Sequence, residues 1–359
     1  MIDKILLAPY RWTLRLRHLL YDKGALKSVS APVPTISVGN VTVGGTGKTP
    51  HTEMLIRLLT EKLHMRAEDV AVLSRGYKRK SKGFRIVTAD GTARMFGDEP
   101  LQIKKKFPEI TVAVDKDRIG ACAKLAEGAA DSAGVTAAKP GVIILDDAMQ
   151  YRRLKPSLSV CLVSFGRPPF KDRLLPFGRL RDIPQRISSA DIAVVTKCPP
   201  DLDPWERRKW AEMLGARDTM FTSLGYGEPL PVFNEGDHRY IHSSRAIVVS
   251  GIADDRPLTN HLSGSYKIVR KFRFRDHHAF SKGDISSIAR AAERFPTAIV
   301  ITTEKDAERL YDCPGIGAKL KERFFKIPVL PEFLSAEDAE RFAETVQRVI
   351  SPRESRSES

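Results

Sequence analysis

The sequence predicts an α/β fold: a parallel sheet of the P-loop NTPase type covered by helices, followed by a second, smaller α/β domain. Apolar strand candidates alternate with helical stretches along most of the chain, and a glycine-rich segment follows the first strand. The 359 residues are 42% hydrophobic, which is enough for two packed cores. We expect an N-terminal amphipathic helix, the P-loop domain, an extended linker or hairpin, the smaller domain and a disordered tail, over residues 1–24, 25–225, 226–245, 246–350 and 351–359.

The first segment has the pattern of an amphipathic helix. Its apolar and basic side chains fall on opposite sides of a helical wheel, in the sets Ile2, Ile5, Leu6, Trp12, Leu16, Leu19 and Leu20 against Lys4, Arg11, Arg15 and His18. No apolar run reaches the roughly 18 residues that a membrane-spanning helix needs. The pattern is typical of a helix lying in a membrane interface. A helix packed on its own domain has the same pattern, so both interpretations stay open.

A phosphate-binding loop is predicted after the first strand. Residues 35–38 are a strand candidate rich in β-branched side chains, and a helical pattern follows the glycines, so backbone N–H groups and a helix N-terminus can bind an anion. Lys48 is expected to reach the β- and γ-phosphates of a nucleotide, and the Thr49 hydroxyl to ligate Mg²⁺. Thr42 stands where the strict pattern has glycine. The predicted ATP-binding residues are Thr42, Val43, Gly44, Gly45, Thr46, Gly47, Lys48 and Thr49.

Acidic residues follow two other predicted elements. The apolar strand candidate 141–145 ends in Asp146 and Asp147, which are placed to hold Mg²⁺ directly or through water. Asp98 lies on a turn bounded by glycine and proline. It is either a reactive acid or a residue that starts the following helix.

The histidines and cysteines limit the chemistry further. His277 and His278 follow a strand candidate, where histidine suits proton transfer near neutral pH, although adjacent histidines also occur as simple exposed polar residues. No third ligand has metal-like spacing, so a zinc site is disfavoured. The four cysteines are scattered without a Cys-x-x-Cys pair, which favours a reducing, cytoplasmic compartment.

The charge of the chain predicts an anionic partner. The net charge is +15 and the isoelectric point is about 9.7. The sequence has no zinc-finger spacing, RNP-like motif or heptad-linked basic region, which argues against nucleic acid. An anionic lipid or a phosphorylated substrate fits better. The basic run 75–82 is either attractive to such a substrate or a solvated loop.

Two other classes of P-loop protein are less favoured. A GTPase should carry Asn/Thr-Lys-x-Asp, yet the chain reads Thr196-Lys197-Cys198-Pro199, without the final acid. A partitioning-type ATPase should carry an additional lysine early in the loop, and this loop has none there. A P-loop switch ATPase acting with a membrane or protein partner remains the alternative to a kinase.

Taken together, these motifs resemble the tetraacyldisaccharide 4′-kinase family of lipid A synthesis. The loop 38–50, including its threonine at Thr42, looks like the loop of that family. Further motifs match in the order of the family, at residues 74–77, 97–100, 117–118, 146–150, 174–181, 196–197, 251–253, 276–278 and 303–306. The resemblance covers nearly the whole chain.

The resemblance implies an activity and a location. The enzyme transfers the γ-phosphate of ATP, with Mg²⁺, to the 4′-hydroxyl of tetraacyldisaccharide 1-phosphate and forms lipid IVA. It is expected to be a peripheral protein on the cytoplasmic face of the inner membrane, with residues 1–24 at the anionic surface. Neither nucleic acid nor an obligate protein partner is expected.

The resemblance also implies residue roles by position. Asp98 is the base at the sugar hydroxyl and His277 is its partner, while Lys48 contacts the phosphates and Asp146 and Asp147 surround Mg²⁺. The substrate-binding residues are Asn40, Arg75, Tyr77, Arg118, Gln150, Arg181 and Asp182. The chain departs from the family at four positions, where glycine, an aromatic residue, histidine and glutamate are usual: Ala148, Met149, Tyr151 and Asp182.

Overall fold

The structure is a computed structural model that describes residues 6–252, 254–276, 278–311 and 313–351. Its strands are β1 (Thr35–Gly39), β2 (Val70–Ser74), β3 (Arg85–Ile86), β4 (Thr111–Val114), β5 (Val142–Asp146), β6 (Leu158–Ser164), β7 (Ile192–Thr196), β8 (Asp218–Tyr226), β9 (Leu230–Pro231), β10 (Arg245–Ser250), β11 (Lys267–Arg273), β12 (Ile299–Thr303), β13 (Phe324–Ile327) and β14 (Val329–Phe333). Its helices are α1 (Ala8–Asp22), α2 (Lys48–Arg57), α3 (Ala93–Phe96), α4 (Asp98–Lys106), α5 (Arg118–Glu127), α6 (Pro204–Leu214), α7 (Arg256–Ser265), α8 (Lys282–Arg294), α9 (Glu304–Tyr311), α10 (Ala318–Lys321) and α11 (Ala336–Ile350).

The larger lobe is built on a sheet with the strand order β14-β8-β7-β6-β1-β5-β2-β4-β3. Its strands run parallel except at the two edges, where β3 is antiparallel to β4 and β14 is antiparallel to β8. Because β1 lies between β5 and β6, the loop after β1 and the acids after β5 meet at one edge of the sheet. This arrangement confirms the predicted fold class and places ligands where parallel α/β sheets bind them.

Helices cover both faces of the larger sheet. The central strands are entirely buried because helices pack on each side of their alternating apolar residues. On one face Leu55 and Ile56 of α2 and Phe342 of α11 pack against β1 and its neighbours. The other face is covered by α1, α5 and α6, through residues that include Leu14 and Trp210.

The smaller lobe has its own sheet, with the strand order β11-β10-β12-β13-β9. Strands β10 to β13 are parallel, and β9 pairs antiparallel at the edge. β9 lies within the segment predicted as an extended linker. It joins this sheet because Leu230 and Pro231 pair with the edge strand β13.

The C-terminal part of the chain departs from the predicted domain boundary. Residues 246–350 were expected to form one unit, but β14 pairs with β8 of the larger sheet. α11 then covers the larger lobe, with Phe342 and Val346 buried in its core. The physical reason is that the apolar side of this amphipathic helix fills the face that α2 leaves uncovered. The chain therefore crosses between the lobes a second time at Pro328.

Helix α1 packs on the larger lobe through few side chains. Leu7, Leu14 and His18 are buried, so His18 does not lie on an exposed polar face as predicted. Most of the predicted apolar side chains are exposed instead: Leu6, Trp12, Leu16, Leu19 and Leu20. Within the described residues, no helix combines the length and apolar character needed to cross a bilayer.

Candidate active site

The shape of the P-loop is fixed by neighbouring strands. The loop turns into α2 at Gly47, whose left-handed backbone (φ 86°) favours glycine. Asn40 donates a hydrogen bond to the Thr46 hydroxyl, and the Thr196 hydroxyl donates to the Thr46 carbonyl over 2.9 Å. Since α2 begins at Lys48, its first N–H groups lack helical partners and lie in the loop. This geometry binds phosphate.

Thr42, the departure from the strict loop pattern, has a structural explanation. It forms a β-bridge with Leu180, and the neighbouring Val43 N–H donates to the Arg179 carbonyl over 2.7 Å. A β-bridge uses extended backbone, which any L-residue adopts, so glycine is not required at this position. The same pairing brings Arg181 beside the loop.

The two acids at the end of β5 have opposite electrostatic environments. Burial, and then the charge of Asp147, raises the pKa of Asp146 to about 6, and the Ser74 hydroxyl donates to its carboxyl over 2.9 Å. Burial also acts to raise the pKa of Asp147, but hydrogen bonds from Arg181 and the charge of Lys48, 3.8 Å away, hold that pKa below its usual range. Asp147 is therefore ionised and paired with Arg181 and Lys48, whereas ionisation of the buried Asp146 destabilises the folded protein.

The same acids fit a magnesium ion. Carboxylate and hydroxyl oxygens are the ligands that Mg²⁺ prefers, and Thr49, Asp146 and Asp147 supply them beside the loop. A cation there would relieve the repulsion between the two carboxylates. Within the described residues no group of three or more acidic, histidine or cysteine side chains forms a metal cluster.

Asp98 lies in the first turn of α4, and the helix N-cap is Gly97, which makes no side-chain cap. Asp98 is thus the first residue of the helix, as one of the two interpretations predicted, but its side chain does not cap the helix. The Nε and Nη2 atoms of Arg309 donate to its Oδ2 over 2.8 and 2.6 Å. The N-terminus of α4 lies against the loop that follows β2, because a Cβ atom on Gly97 would lie 3.2 Å from the Tyr77 carbonyl. β2 is the neighbour of β5 in the sheet, so Asp98 belongs to the same edge as the acids of β5.

The predicted partner of Asp98, His277, lies outside the described residues. Its neighbour His278 is half-buried and packs against other side chains of the smaller lobe. The ring of His278 stacks on Phe274 and contacts Asp284, with Nε2 and Oδ2 2.9 Å apart. This accounts for the second histidine of the pair without a role in catalysis.

Three predicted substrate-binding residues form one network at the loop. Arg181 and Gln150 both donate to the Asn40 carbonyl, over 3.2 and 2.7 Å. Arg181 also pairs with the carboxylate of Asp147. Asn40 itself is fully buried, so it holds the loop in place instead of facing an open surface.

Two other predicted substrate-binding residues are buried and contact the protein itself. Arg118 is 3% exposed and donates to the carbonyls of Asp146 and Asp147, fixing the end of β5. Asp182 is 1% exposed and contacts His18 of α1 over 2.7 Å. These contacts hold the end of β5 and α1 in place, although Nε of Arg118 and Oδ2 of Asp182 have no hydrogen-bond partner among the described residues.

Arg75 and Tyr77 lie on an exposed loop beside the turn of Asp98. The Tyr77 carbonyl would lie 3.2 Å from a Cβ atom placed on Gly97, so the two loops are in close contact. These two side chains are accessible to a ligand at this edge. At the departure Tyr151, the hydroxyl donates to Asp117 over 2.9 Å, which gives that side chain a local role.

Sequence reasoning missed His51, in the first turn of α2. Its Nδ1–H donates to the Gly47 carbonyl over 2.8 Å, and its Nε2 accepts from the Thr222 hydroxyl over 3.0 Å. Burial lowers the pKa of His51 to about 4, so the ring is neutral at pH 7. A histidine three residues after Lys48 was the available signal, but its partner Thr222 is distant in the sequence.

A parallel sheet with this loop, and with acids at the end of the adjacent strand, defines the class of P-loop phosphotransferases. The family model described as tetraacyldisaccharide-1-P 4′-kinase (LpxK) matches residues 4–351. The chain belongs to the tetraacyldisaccharide 4′-kinase family, as the motifs predicted.

Named relatives and a solved structure agree with this assignment. The tetraacyldisaccharide 4′-kinase of Phocaeicola vulgatus is 42% identical over 330 residues, which cover 89% of this chain and 87% of the relative. That of Bacteroides thetaiotaomicron is 38% identical over 351 residues, covering 91% and 88%. The crystal structure of LpxK from Aquifex aeolicus in complex with ATP has a TM-score of 0.71 and 28% identity, covering 98% of this chain and 100% of that one.

Proposed function

We propose that this protein transfers the γ-phosphoryl group of ATP to the 4′-hydroxyl of tetraacyldisaccharide 1-phosphate and forms lipid IVA. Membership of the kinase family supports the reaction. The observation that carries the proposal is the meeting of three elements at one sheet edge. The P-loop supplies Lys48, and the end of β5 supplies Asp146 and Asp147, the second of which lies 3.8 Å from that lysine. The N-terminus of α4 supplies Asp98.

The P-loop side of the site would bind the donor. N–H groups at the start of α2 and the ammonium group of Lys48 are placed to neutralise the β- and γ-phosphates. Thr49, Asp146 and Asp147 would hold Mg²⁺, which when bound offsets charge on the transferring phosphoryl group. The ion pair with Arg181 keeps the carboxylate of Asp147 oriented toward Lys48.

Asp98 would act on the acceptor. As the bond between the 4′-oxygen and phosphorus forms and ADP leaves, the hydroxyl proton passes to the carboxylate of Asp98. Phosphoryl transfer has a loose transition state, so the main contribution of such an acid is to orient the hydroxyl. His277 is proposed as its partner from the family resemblance. Arg75 and Tyr77 are proposed contacts to the phosphorylated sugar because they are exposed beside Asp98.

Helix α1 would place the enzyme at the anionic cytoplasmic surface of the inner membrane. Leu6 and Trp12 are 60% and 71% exposed, which is costly in water and favourable at a lipid interface. The net charge of +15 adds attraction to anionic lipid. A switch ATPase is the less favoured alternative, because this family consists of kinases.

The role of Asp98 is tested by an isosteric substitution. Asp98→Asn should lower kcat for lipid phosphorylation by roughly 10²- to 10⁴-fold, because the hydroxyl loses its proton acceptor. The affinity for ATP, measured by calorimetry, should stay within about threefold, since the P-loop is untouched. Glu99→Gln, which removes the adjacent acid, is the matched control and should lower kcat far less. Unchanged turnover in Asp98→Asn would remove Asp98 from the chemistry.

A further inference from the structure

Asp98 is held by a residue of the other lobe. Arg309 lies on α9, and its side chain is 8% exposed. Two of its nitrogens, Nε and Nη2, donate to Oδ2 of Asp98 over 2.8 and 2.6 Å. Charge-assisted hydrogen bonds from a planar guanidinium fix both the position and the direction of a carboxylate.

The guanidinium is itself fixed by the core of the smaller lobe. The Nη1 atom of Arg309 donates to Oδ1 of Asp306 over 2.9 Å. Asp306 is fully buried, and its Oδ2 accepts from the Gly251 N–H and the Thr303 hydroxyl, each over 2.8 Å. Gly251 follows β10 and Thr303 ends β12, so the position of Arg309 is tied to two central strands of the smaller sheet.

Other ion pairs along the same seam do not involve Asp98. Lys105 of α4 lies 2.7 Å from Glu308 of α9. Lys106 contacts both Glu304 of α9 and the buried Glu53 of α2, each over 2.6 Å. These pairs join the lobes without touching Asp98. Arg309 differs because its partner is the acid proposed to orient the acceptor hydroxyl.

We propose that Arg309 is the positioning residue for Asp98, holding one carboxylate oxygen from the smaller lobe and keeping the carboxyl ionised for the acceptor hydroxyl. This inference rests on the proposed role of Asp98 as the acceptor's base. An ionised carboxylate only accepts hydrogen bonds, which is the state required to orient a hydroxyl donor. Asp98 belongs to the larger lobe, which also carries the donor site, whereas Arg309 belongs to the smaller lobe. The carboxylate of Asp98 is therefore held in place only when the two lobes are in contact here.

The test compares variants of the full-length enzyme by lipid phosphorylation. Arg309→Gln should lower kcat roughly 10- to 100-fold, as expected for a reacting group displaced by about 1 Å, with the KM for ATP within about threefold. The acidic limb of its pH profile should move to higher pH, because a neutral neighbour no longer favours the carboxylate. Arg309→Lys retains the charge and should restore the acidic limb and part of kcat.

Lys105→Met is the matched control, because it removes an ion pair of the same seam that does not reach Asp98. It should leave kcat within about twofold and the acidic limb in place. In the Asp98→Asn background, Arg309→Gln should cause no further loss of kcat, since the two residues act as a unit. Should the glutamine variant unfold, Arg309→Lys supplies the kinetic comparison.

The outcomes separate the two proposals. If Asp98→Asn is fully active, the proposed role of Asp98 fails. If Asp98→Asn is inactive while Arg309→Gln and Arg309→Lys retain wild-type kcat and pH profile, only the positioning role of Arg309 is overturned. The positioning role is also overturned if Lys105→Met lowers kcat as much as Arg309→Gln does, or if Arg309→Gln leaves the acidic limb of the pH profile in place. In either case a weaker contact between the lobes would explain the loss of kcat.

Discussion

Replacing Asp146 by asparagine should stabilise the protein while removing a proposed Mg²⁺ ligand. Burial, followed by the charge of Asp147, raises the pKa of Asp146 from 3.8 to about 6. The folded protein therefore binds a proton more tightly at this carboxyl than the unfolded chain does. The resulting stability is fully present below about pH 4 and is lost as the pH rises through about 6.

The size of the effect follows from the pKa difference. Each tenfold change in an ionisation constant is worth about 1.4 kcal/mol, so the ionised Asp146 costs the fold about 3 kcal/mol at pH 8. Asparagine carries no charge and keeps an oxygen for the Ser74 hydroxyl. Asp146→Asn should therefore be about 3 kcal/mol more stable than the wild type at pH 8, and about 1 kcal/mol more stable at pH 4.5.

Urea unfolding without metal or nucleotide measures this difference, followed by intrinsic fluorescence, to which the buried Trp210 contributes. Asp147→Asn is the matched control and should be destabilised at pH 8, because Arg181 and Lys48 hold the pKa of Asp147 low against the effect of burial. If Asp146→Asn is no more stable at pH 8, or if its gain in stability does not change with pH, then folding does not raise the pKa of Asp146.

Two further predictions concern His51 and helix α1. Burial lowers the pKa of His51 from 6.5 to about 4, so the stability it contributes is present above pH 6.5 and about 3 kcal/mol of it is lost as the pH falls to 4. His51→Gln should abolish this loss of stability at low pH. At pH 7.5 the variant should be about 1–3 kcal/mol less stable than the wild type, because the substitution breaks the hydrogen bonds of His51. Urea titrations at pH 7.5 and 5 check this, and an equally steep decline in the variant would contradict it. The double variant Trp12→Asp with Leu16→Asp should reduce co-flotation with phosphatidylglycerol vesicles at least about tenfold. Trp205→Asp, at an exposed tryptophan elsewhere, is its control, and equal flotation of both variants would argue against an interfacial α1.

The fold class and the donor side of the site could be predicted because they depend on local sequence. The strand before the loop, the glycines and Lys48-Thr49 act within about 15 residues of each other, and backbone geometry then determines phosphate binding. The position of Asp146 and Asp147 followed from the rule that parallel strands end at one edge. The structure also explains why threonine can replace glycine at position 42, since Thr42 forms a β-bridge with Leu180.

The acceptor side depends on contacts that sequence patterns do not encode. Arg309 and Asp98 are separated by 211 positions, and His18 and Asp182 by 164. No periodicity in either segment indicates such a pair, so the contact between Asp182 and His18 of α1 could not be predicted from the sequence. For the same reason, the apolar pattern of β14 identified a strand but not the sheet that it joins.

The most direct test of the account uses the full-length protein, ATP labelled at the γ-phosphate, Mg²⁺ and tetraacyldisaccharide 1-phosphate in detergent micelles. We expect one labelled phosphate on the 4′-oxygen of the lipid for each ADP formed, and loss of that product in Asp98→Asn. Label recovered only as free phosphate, with no labelled lipid, would contradict the assignment as a lipid kinase.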